Sequence, residues 1–433
     1  MDPASRTRGG APGGFEAEFP LAVALAGKRK TPSFPAEVWI VSITTFLSRS
    51  VGFLALFSTV FYTSMGLSPS ALTLALFAGG FAGVLGSVAG GWFAARFGST
   101  DVLIAGSVLN VPLLYLLGMS TTDPVPAIVL ASLSVAVTQS FSGPAAALVT
   151  GSAYEGNTVT VVAFHRIFLS SGVTVAPIMV SAVGEHNFSM LFSLSAFGSL
   201  GTAAFLFSER SRLRGAEALA AARERNASAP DPISDSAAAA PYDPSRVSRL
   251  WAVVVVFGTA MAVYAQSMSG IPLSVEKVSH DGRLYSVLLV INSLFIIFFE
   301  LPISTLTARL KWNYALGLGI FVTGLGLAVC GAGSSWTVCI AGFVLFSLGE
   351  AIFIPQASAS IADISTPSEN PRYQGYLSAA QSFGFAVGPG LGAFGVLHDS
   401  ALYWTLVIQI SFAAGAVAVV AGMSKDRSSV RVG

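Results

Sequence analysis

The chain has 433 residues, of which 53% are hydrophobic and 10% charged, and its mean hydropathy is +0.71. Soluble proteins carry roughly 25% charged residues, and a chain of this size has too much surface to hide so many apolar side chains from water. A formal net charge of +1 excludes a basic nucleic-acid binder. The two cysteines, Cys330 and Cys339, lie in or beside apolar stretches and provide no disulfide scaffold. The composition is that of an integral membrane protein.

Residues 1–36 read as a cytoplasmic N-terminal segment. They lack the form of a signal peptide, because the apolar piece 19–27 is short and is preceded by Glu16 and Glu18. A bilayer-crossing helix takes about 20 mostly apolar residues, and twelve such runs follow. Six fall at 38–62, 71–94, 101–119, 125–149, 158–183 and 188–208, within an N-terminal half of 37–208. Six more fall at 250–274, 284–307, 313–332, 335–358, 374–397 and 401–423, within a C-terminal half of 250–424. Between the halves, 209–249 is rich in Arg, Ala, Ser, Asp and Pro and cannot build a core, so it reads as a cytoplasmic linker that is helical at its start. A short cytoplasmic tail, 425–433, closes the chain. Long continuous apolar runs also exclude a transmembrane barrel, whose segments are short and alternating.

Lysine and arginine set the orientation. With both termini inside, 19 of the 23 basic residues fall on inner segments; Lys277 and Arg283 fall on outer loops, and Arg49 and Arg166 within spans. The halves also repeat each other. Arg96 and Arg309 close the second and eighth spans at an offset of 213 residues, and Gly172 and Pro177 in the fifth span match Gly384 and Pro389 in the eleventh at 212. Pro144 and Pro355, in spans four and ten, differ by 211. Duplicated six-helix halves place a substrate site near the bilayer midplane, between them.

The run Gly91-Trp92-Phe93-Ala94-Ala95-Arg96-Phe97-Gly98 resembles the loop between helices two and three of the major facilitator superfamily, G-x-x-x-D-R-x-G. Arg96 and Gly98 match, but Ala95 stands at the Asp position, and Ser99-Thr100 replace the basic pair that usually follows. In the family that Asp latches the inner gate, so the resemblance implies a gate held differently or more loosely here. The stretch 170–177 is similar to the fifth-helix motif of the antiporter branch, with Ala176 where that motif has Gly. The run 45–52, Gly349-Glu350 and the run 372–375 resemble the drug:proton antiporter subfamily. The resemblance covers residues 37–425 and implies an all-α membrane fold of twelve transmembrane helices in two pseudo-symmetric six-helix halves.

A charge at a helix centre costs about 2.5–3.5 kcal/mol on insertion scales and so faces a cavity or a partner. Arg49, Arg166, Glu300 and Glu350 meet that condition, two cations and two anions that can neutralise one another. Arg49 shares a helix face with Ser42, Thr45 and Gly52 and reads as a substrate anchor or a partner to a proton-carrying carboxylate, the alternative being a structural ion pair. Glu300 and Glu350 are the candidates for proton coupling, since a carboxylate in low-dielectric surroundings holds its proton more tightly; direct substrate contact and structural pairing are the alternatives. Arg166 reads as an inner gate residue or carboxylate partner, with snorkelling to lipid as the bland option. Its neighbour His165 reads as incidental rather than as a relay. Asp363 and Arg309 lie near inner helix ends, as gate or cap residues.

Gln139, Tyr264, Gln266, Asn292 and Gln381 are polar groups inside spans that either orient a ligand or join helices. Gly390-Leu391-Gly392-Ala393-Phe394-Gly395 has the dinucleotide spacing G-x-G-x-x-G, but it sits in a membrane span and reads as close helix packing. No Walker motif and no Cys/His cluster is present in the sequence. The resulting expectation is a monomeric, multi-pass plasma-membrane carrier, not an enzyme, without cofactor or nucleic-acid partner. It exports small amphipathic molecules against protons by rocking of its halves. Proton-coupled uptake and a transport-dead sensor are the alternatives.

Overall fold

In a computed structural model, residues 34–423 are described, apart from 53, 55–57, 59–60, 63, 121–122, 154–156, 184–186, 228–243, 277 and 279–282. Every element among them is helical: α1 (Ala36–Ser50), α2 (Pro69–Phe97), α3 (Ser99–Met119), α4 (Pro124–Gln139), α5 (Ser142–Gly151), α6 (Thr158–Val183) and α7 (Phe188–Ala227) form the first half. The second half holds α8 (Pro244–Tyr264), a 3-10 turn (Ala265–Met268), α9 (Gly270–Val275), α10 (Arg283–Thr307), α11 (Trp312–Gly331), α12 (Trp336–Ile364) and α13 (Asn370–Met423). Among the described residues, ten stretches are long and apolar enough to cross a membrane. The other two expected crossings are the one that begins with the 15 residues of α1 and the one formed by the first part of α13.

The helix ends follow from local chemistry. Ser68 accepts a hydrogen bond from the Ala71 N–H at the head of α2, with Pro69 at the first position, where its missing N–H costs nothing. Asp123 accepts from the Val125 N–H and caps α4. α2 stops at Gly98, whose φ of +96° suits a residue without Cβ. Within α13 the backbone leaves helical geometry at Asp399, whose carboxylate accepts from the Leu402 N–H at 3.0 Å and so caps the twelfth crossing.

Three spans differ from the continuous helices expected, the first because α1 ends at Ser50 and Val51-Gly52 leave helical geometry. The fourth is divided between α4 and α5 at Ser140-Phe141, and the seventh breaks into α8, the 3-10 turn and α9. A proline ring clashes with the carbonyl four residues earlier, which for Pro144 is Ser140 and for Pro272 is Met268. Pro355 and Pro389, by contrast, sit inside α12 and α13 without a break. Pro177 lies within α6, its side chain outside the described residues.

Leu74, Phe77, Phe81 and Leu85 form an exposed stripe on α2 at three- and four-residue steps. In water such a stripe would drive association; in a bilayer it is the lipid face. The halves meet along two seams. At one, α2 and α5 pack on the first part of α13; at the other, α6 packs on α10 and α12. The first seam depends on missing side chains: a Cβ on Gly91 would lie 2.7 Å from the Pro371 carbonyl oxygen and 2.8 Å from the Gly375 Cα. Gly143 makes the same approach to Gly375. Gly80 faces Ala386 across this seam, whereas Gly86 and Gly90 face α4 and Ser140 of their own half.

Candidate functional site: a buried charge cluster between the halves

The second seam carries the charges. Arg166 of α6 reaches both membrane-embedded carboxylates: its Nη1 lies 2.7 Å from Glu300 Oε1 of α10, and its Nη2 lies 2.9 Å from Glu350 Oε1 of α12. The three side chains are 11%, 0% and 5% exposed. In such surroundings breaking a pair costs far more than in water, because the remaining charge is left without solvent.

The two carboxylates are not equivalent. Glu350 is held by three donors: Arg166 donates to Oε1, the Tyr264 hydroxyl donates to the same oxygen at 3.3 Å, and Asn292 Nδ2 donates to Oε2 at 2.9 Å. Asn292 is itself placed by a 3.0 Å bond to the Ser347 hydroxyl. Glu300 faces Arg166 at ion-pair distance, yet neither of its oxygens has a hydrogen bond of good geometry among the described residues. One guanidinium therefore serves two carboxylates, leaving a formal charge of −1 when both are ionised.

The expected mutual neutralisation of two cations and two anions is corrected here. Arg49 does not join the cluster, and its side chain has no ion pair or hydrogen bond among the described residues. It lies half-buried on α1, where α1 crosses α6 closely: a Cβ on Gly172 would stand 2.7 Å from the Phe46 carbonyl oxygen and 2.9 Å from the Arg49 Cβ. One level nearer the linker end, the Ser42 hydroxyl contacts His165 Nδ1 at 3.3 Å. His165 is within electrostatic reach of both Arg49 and Arg166.

The other singled-out residues scatter. Tyr264 and Asn292 join the cluster, a role as carboxylate ligands that the sequence reading did not separate from cavity lining. Gln266 does not line an open space: it is buried and donates to the Gly388 carbonyl at 2.9 Å and the Ala262 carbonyl at 2.7 Å, tying the seventh crossing to the eleventh. Gly392, in the G-x-G-x-x-G run, abuts Gln266 and Ser269, as close packing requires. Gln139 crosses the first seam, donating to the Ser382 hydroxyl at 2.9 Å. Thr45 and Gln381 are half-buried. Asp363 and Arg309 are exposed, as is Arg96, whose guanidinium lies over the rings of Trp92 and Phe97.

At the linker end an acid from another helix lies against the loop where the motif has its Asp. Glu217, on the part of α7 that runs past the apolar span, accepts the N–H groups of Ser99 and Thr100 at 2.6 and 3.0 Å and caps α3. Arg214 pairs with Asp101 beside it. Two turns on, Glu224 accepts the Ser368 N–H at 3.1 Å and the Ser368 hydroxyl at 3.0 Å, across to the turn between α12 and α13. The α7 extension thus touches both halves. Beneath it, Asn370 of α13 donates to Thr150 of α5 at 2.9 Å, buried. Sequence reading missed this lock because Glu217 and Glu224 look like ordinary members of a charged, helix-forming linker.

Residues 255–429 match the family model described as Major Facilitator Superfamily. The MFS-type transporter YttB of Bacillus subtilis is 24% identical over 389 residues, which is 87% of this chain and 92% of that protein. Multidrug resistance protein 2 of Bacillus subtilis is 35% identical over 77 residues, 18% of this chain, and the match spans only 19% of that relative's length. Among solved structures, the human organic anion transporter MFSD10 (TETRAN) superposes with a TM-score of 0.67 at 14% identity, covering 89% of this chain and all of that one. The proton:xylose symporter XylE superposes with a TM-score of 0.61 at 12% identity, covering 90% and 96%. At such identities these likenesses concern the fold.

Proposed function

We propose that this chain, which belongs to the major facilitator superfamily, is a proton-coupled exporter of small amphipathic molecules. It would work in the plasma membrane as a monomer, with both termini and the linker on the cytoplasmic side and a proton gradient as its energy source. The observation that carries the coupling is the Arg166–Glu300–Glu350 cluster, a charge-pairing site shared by both halves at the seam where they must part. Glu300, without hydrogen bonds of its own, is the carboxylate that takes up the proton. Glu350, held by Arg166, Tyr264 and Asn292, remains the anion. A protonated Glu300 no longer needs Arg166, so the tie between α6 and α10 slackens and the halves can rock.

Several features support alternating access. The linker end is closed by the Gly91–Gly375 approach, the Asn370–Thr150 bond and the α7 extension, as a carrier with alternating access requires in one of its states. The export direction is supported by the local likeness to multidrug resistance proteins. XylE, a symporter on the same fold, keeps uptake as the rival reading.

Inverted membrane vesicles with an acid lumen separate the two. Export against protons requires that members of a panel of naphthalene amphiphiles (cationic, anionic and zwitterionic) accumulate in the lumen and leave when a protonophore collapses the gradient. Accumulation instead in right-side-out vesicles with acid outside would establish uptake. Movement insensitive to the gradient in both would remove proton coupling.

A further inference from the structure

We infer that the substrate class is zwitterionic: molecules that carry an acidic group and a protonated amine on an apolar frame. The inference rests on reading the Arg166 cluster as the transport site and adds to it what that site recognises.

The argument is one of charge placement. When ionised, the cluster carries one more negative charge than positive, and the fully buried Glu300 has oxygens without hydrogen bonds. Arg49 carries the opposite excess, a guanidinium in a membrane span without an ion pair or hydrogen bond among the described residues. Both membrane-interior carboxylates are already engaged by Arg166, so neither is left for it. An uncompensated charge at such depth is costly and calls for a counter-ion that the described residues do not supply.

The two excess charges lie at different levels of one pair of packed helices. α1 and α6 run side by side: Ser42 meets His165, and seven residues on in each helix Arg49 meets Gly172. Six residues separate Arg166 from Gly172, which at 1.5 Å per residue sets the backbone of Arg49 about 9 Å farther along the helix pair than that of Arg166. A ligand that satisfies both ends has its acid at Arg49 and its ammonium at the carboxylates, with an apolar body between. A purely anionic ligand would leave the cluster's excess unmatched, and a purely cationic one would leave Arg49 so.

The same placement gives antiport its sign. An ammonium beside the cluster supplies the positive charge that the proton on Glu300 had supplied. Binding of the zwitterion to the protonated carrier therefore forms a carboxylate–ammonium pair and expels one proton to solvent, so charge and atoms balance.

The test uses the purified full-length protein in detergent at pH 7, with no gradient. Four probes share one ring system: 6-(aminomethyl)-2-naphthoic acid, 2-naphthoic acid, 2-naphthylmethylamine and naphthalene-2-carboxamide. The expected result is that the zwitterion binds at least tenfold more tightly than any of the other three. Arg49→Gln should bring it to the level of the amine, Glu350→Gln to the level of the acid, and Arg49→Lys, which keeps the charge, should preserve the preference. Equal binding of zwitterion and either singly charged probe would overturn the proposal, as would binding of none of the four. Preference surviving in Arg49→Gln would overturn it too. If Arg49→Gln fails to fold, the wild-type ranking and Arg49→Lys decide. Because this selection is read at equilibrium, its failure with gradient-driven transport intact removes only the substrate class. Failure of gradient-driven transport with the preference intact removes only the coupling.

Discussion

At the scale of residues, the account turns on one arginine that serves two carboxylates. Removing Arg166 alone leaves two buried like charges, and breaking a buried pair in this way costs about 3–5 kcal/mol. Replacing the whole cluster by apolar side chains of similar size is often neutral or stabilising. Arg166→Met should therefore lower the thermal unfolding midpoint in detergent sharply. The triple variant Arg166→Met, Glu300→Leu, Glu350→Leu should recover most of that loss while abolishing gradient-driven transport. A triple variant that transports would show the cluster to be structural only. All three residues stood out in the sequence, because a charge in an apolar run is conspicuous wherever it falls. Which anion meets which cation was not visible there, since it depends on the register of α6 against α10 and α12. For the same reason Arg49 looked like a neutralising partner, and Gln266, a strut between crossings, looked like a cavity group.

At the scale of elements, the linker end is closed without the acid that the motif resemblance leads one to expect. With Ala95 in that place, the carboxylate comes from Glu217 on α7, which caps α3, and Glu224 carries the same helix across to Ser368. The seam beneath closes because glycine faces glycine at residues 91 and 375. Gly375→Leu should hold this end open, and Glu224→Gln should loosen it. In a background with Cys330→Ala and Cys339→Ala, a Thr150→Cys thiol should be alkylated from the linker side faster in both variants than in the parent. Unchanged labelling would show that these contacts do not hold the gate. Helix starts were legible only as the ends of apolar runs, which Ser68 and Asp123 cap in the structure. The breaks in the fourth and seventh crossings were less so, because Pro144 and Pro272 break their helices while Pro355 and Pro389 do not, and the difference lies in packing that sequence position does not reveal.

At the scale of the molecule, the architecture was legible because the bilayer imposes it: every backbone polar group must be satisfied within the span, which leaves few alternatives to apolar helices of fixed length. Internal offsets of 211–213 residues marked the duplication, and the distribution of basic residues suggested its orientation. The described structure adds what a repeat cannot show, namely that the halves are tied by charge at one seam and by glycine contacts at the other. Slackening the first while the second opens is the proposed transport cycle.

The most direct test of this account is proton release on substrate binding, measured in weakly buffered detergent solution on adding 6-(aminomethyl)-2-naphthoic acid to the wild type, Glu300→Gln and Glu350→Gln. The account predicts that the wild type binds and releases protons, whereas Glu300→Gln and Glu350→Gln, each of which leaves the cluster neutral, bind at the level of the acid, and Glu300→Gln releases none. Binding to the wild type with no release, or with proton uptake, would contradict it.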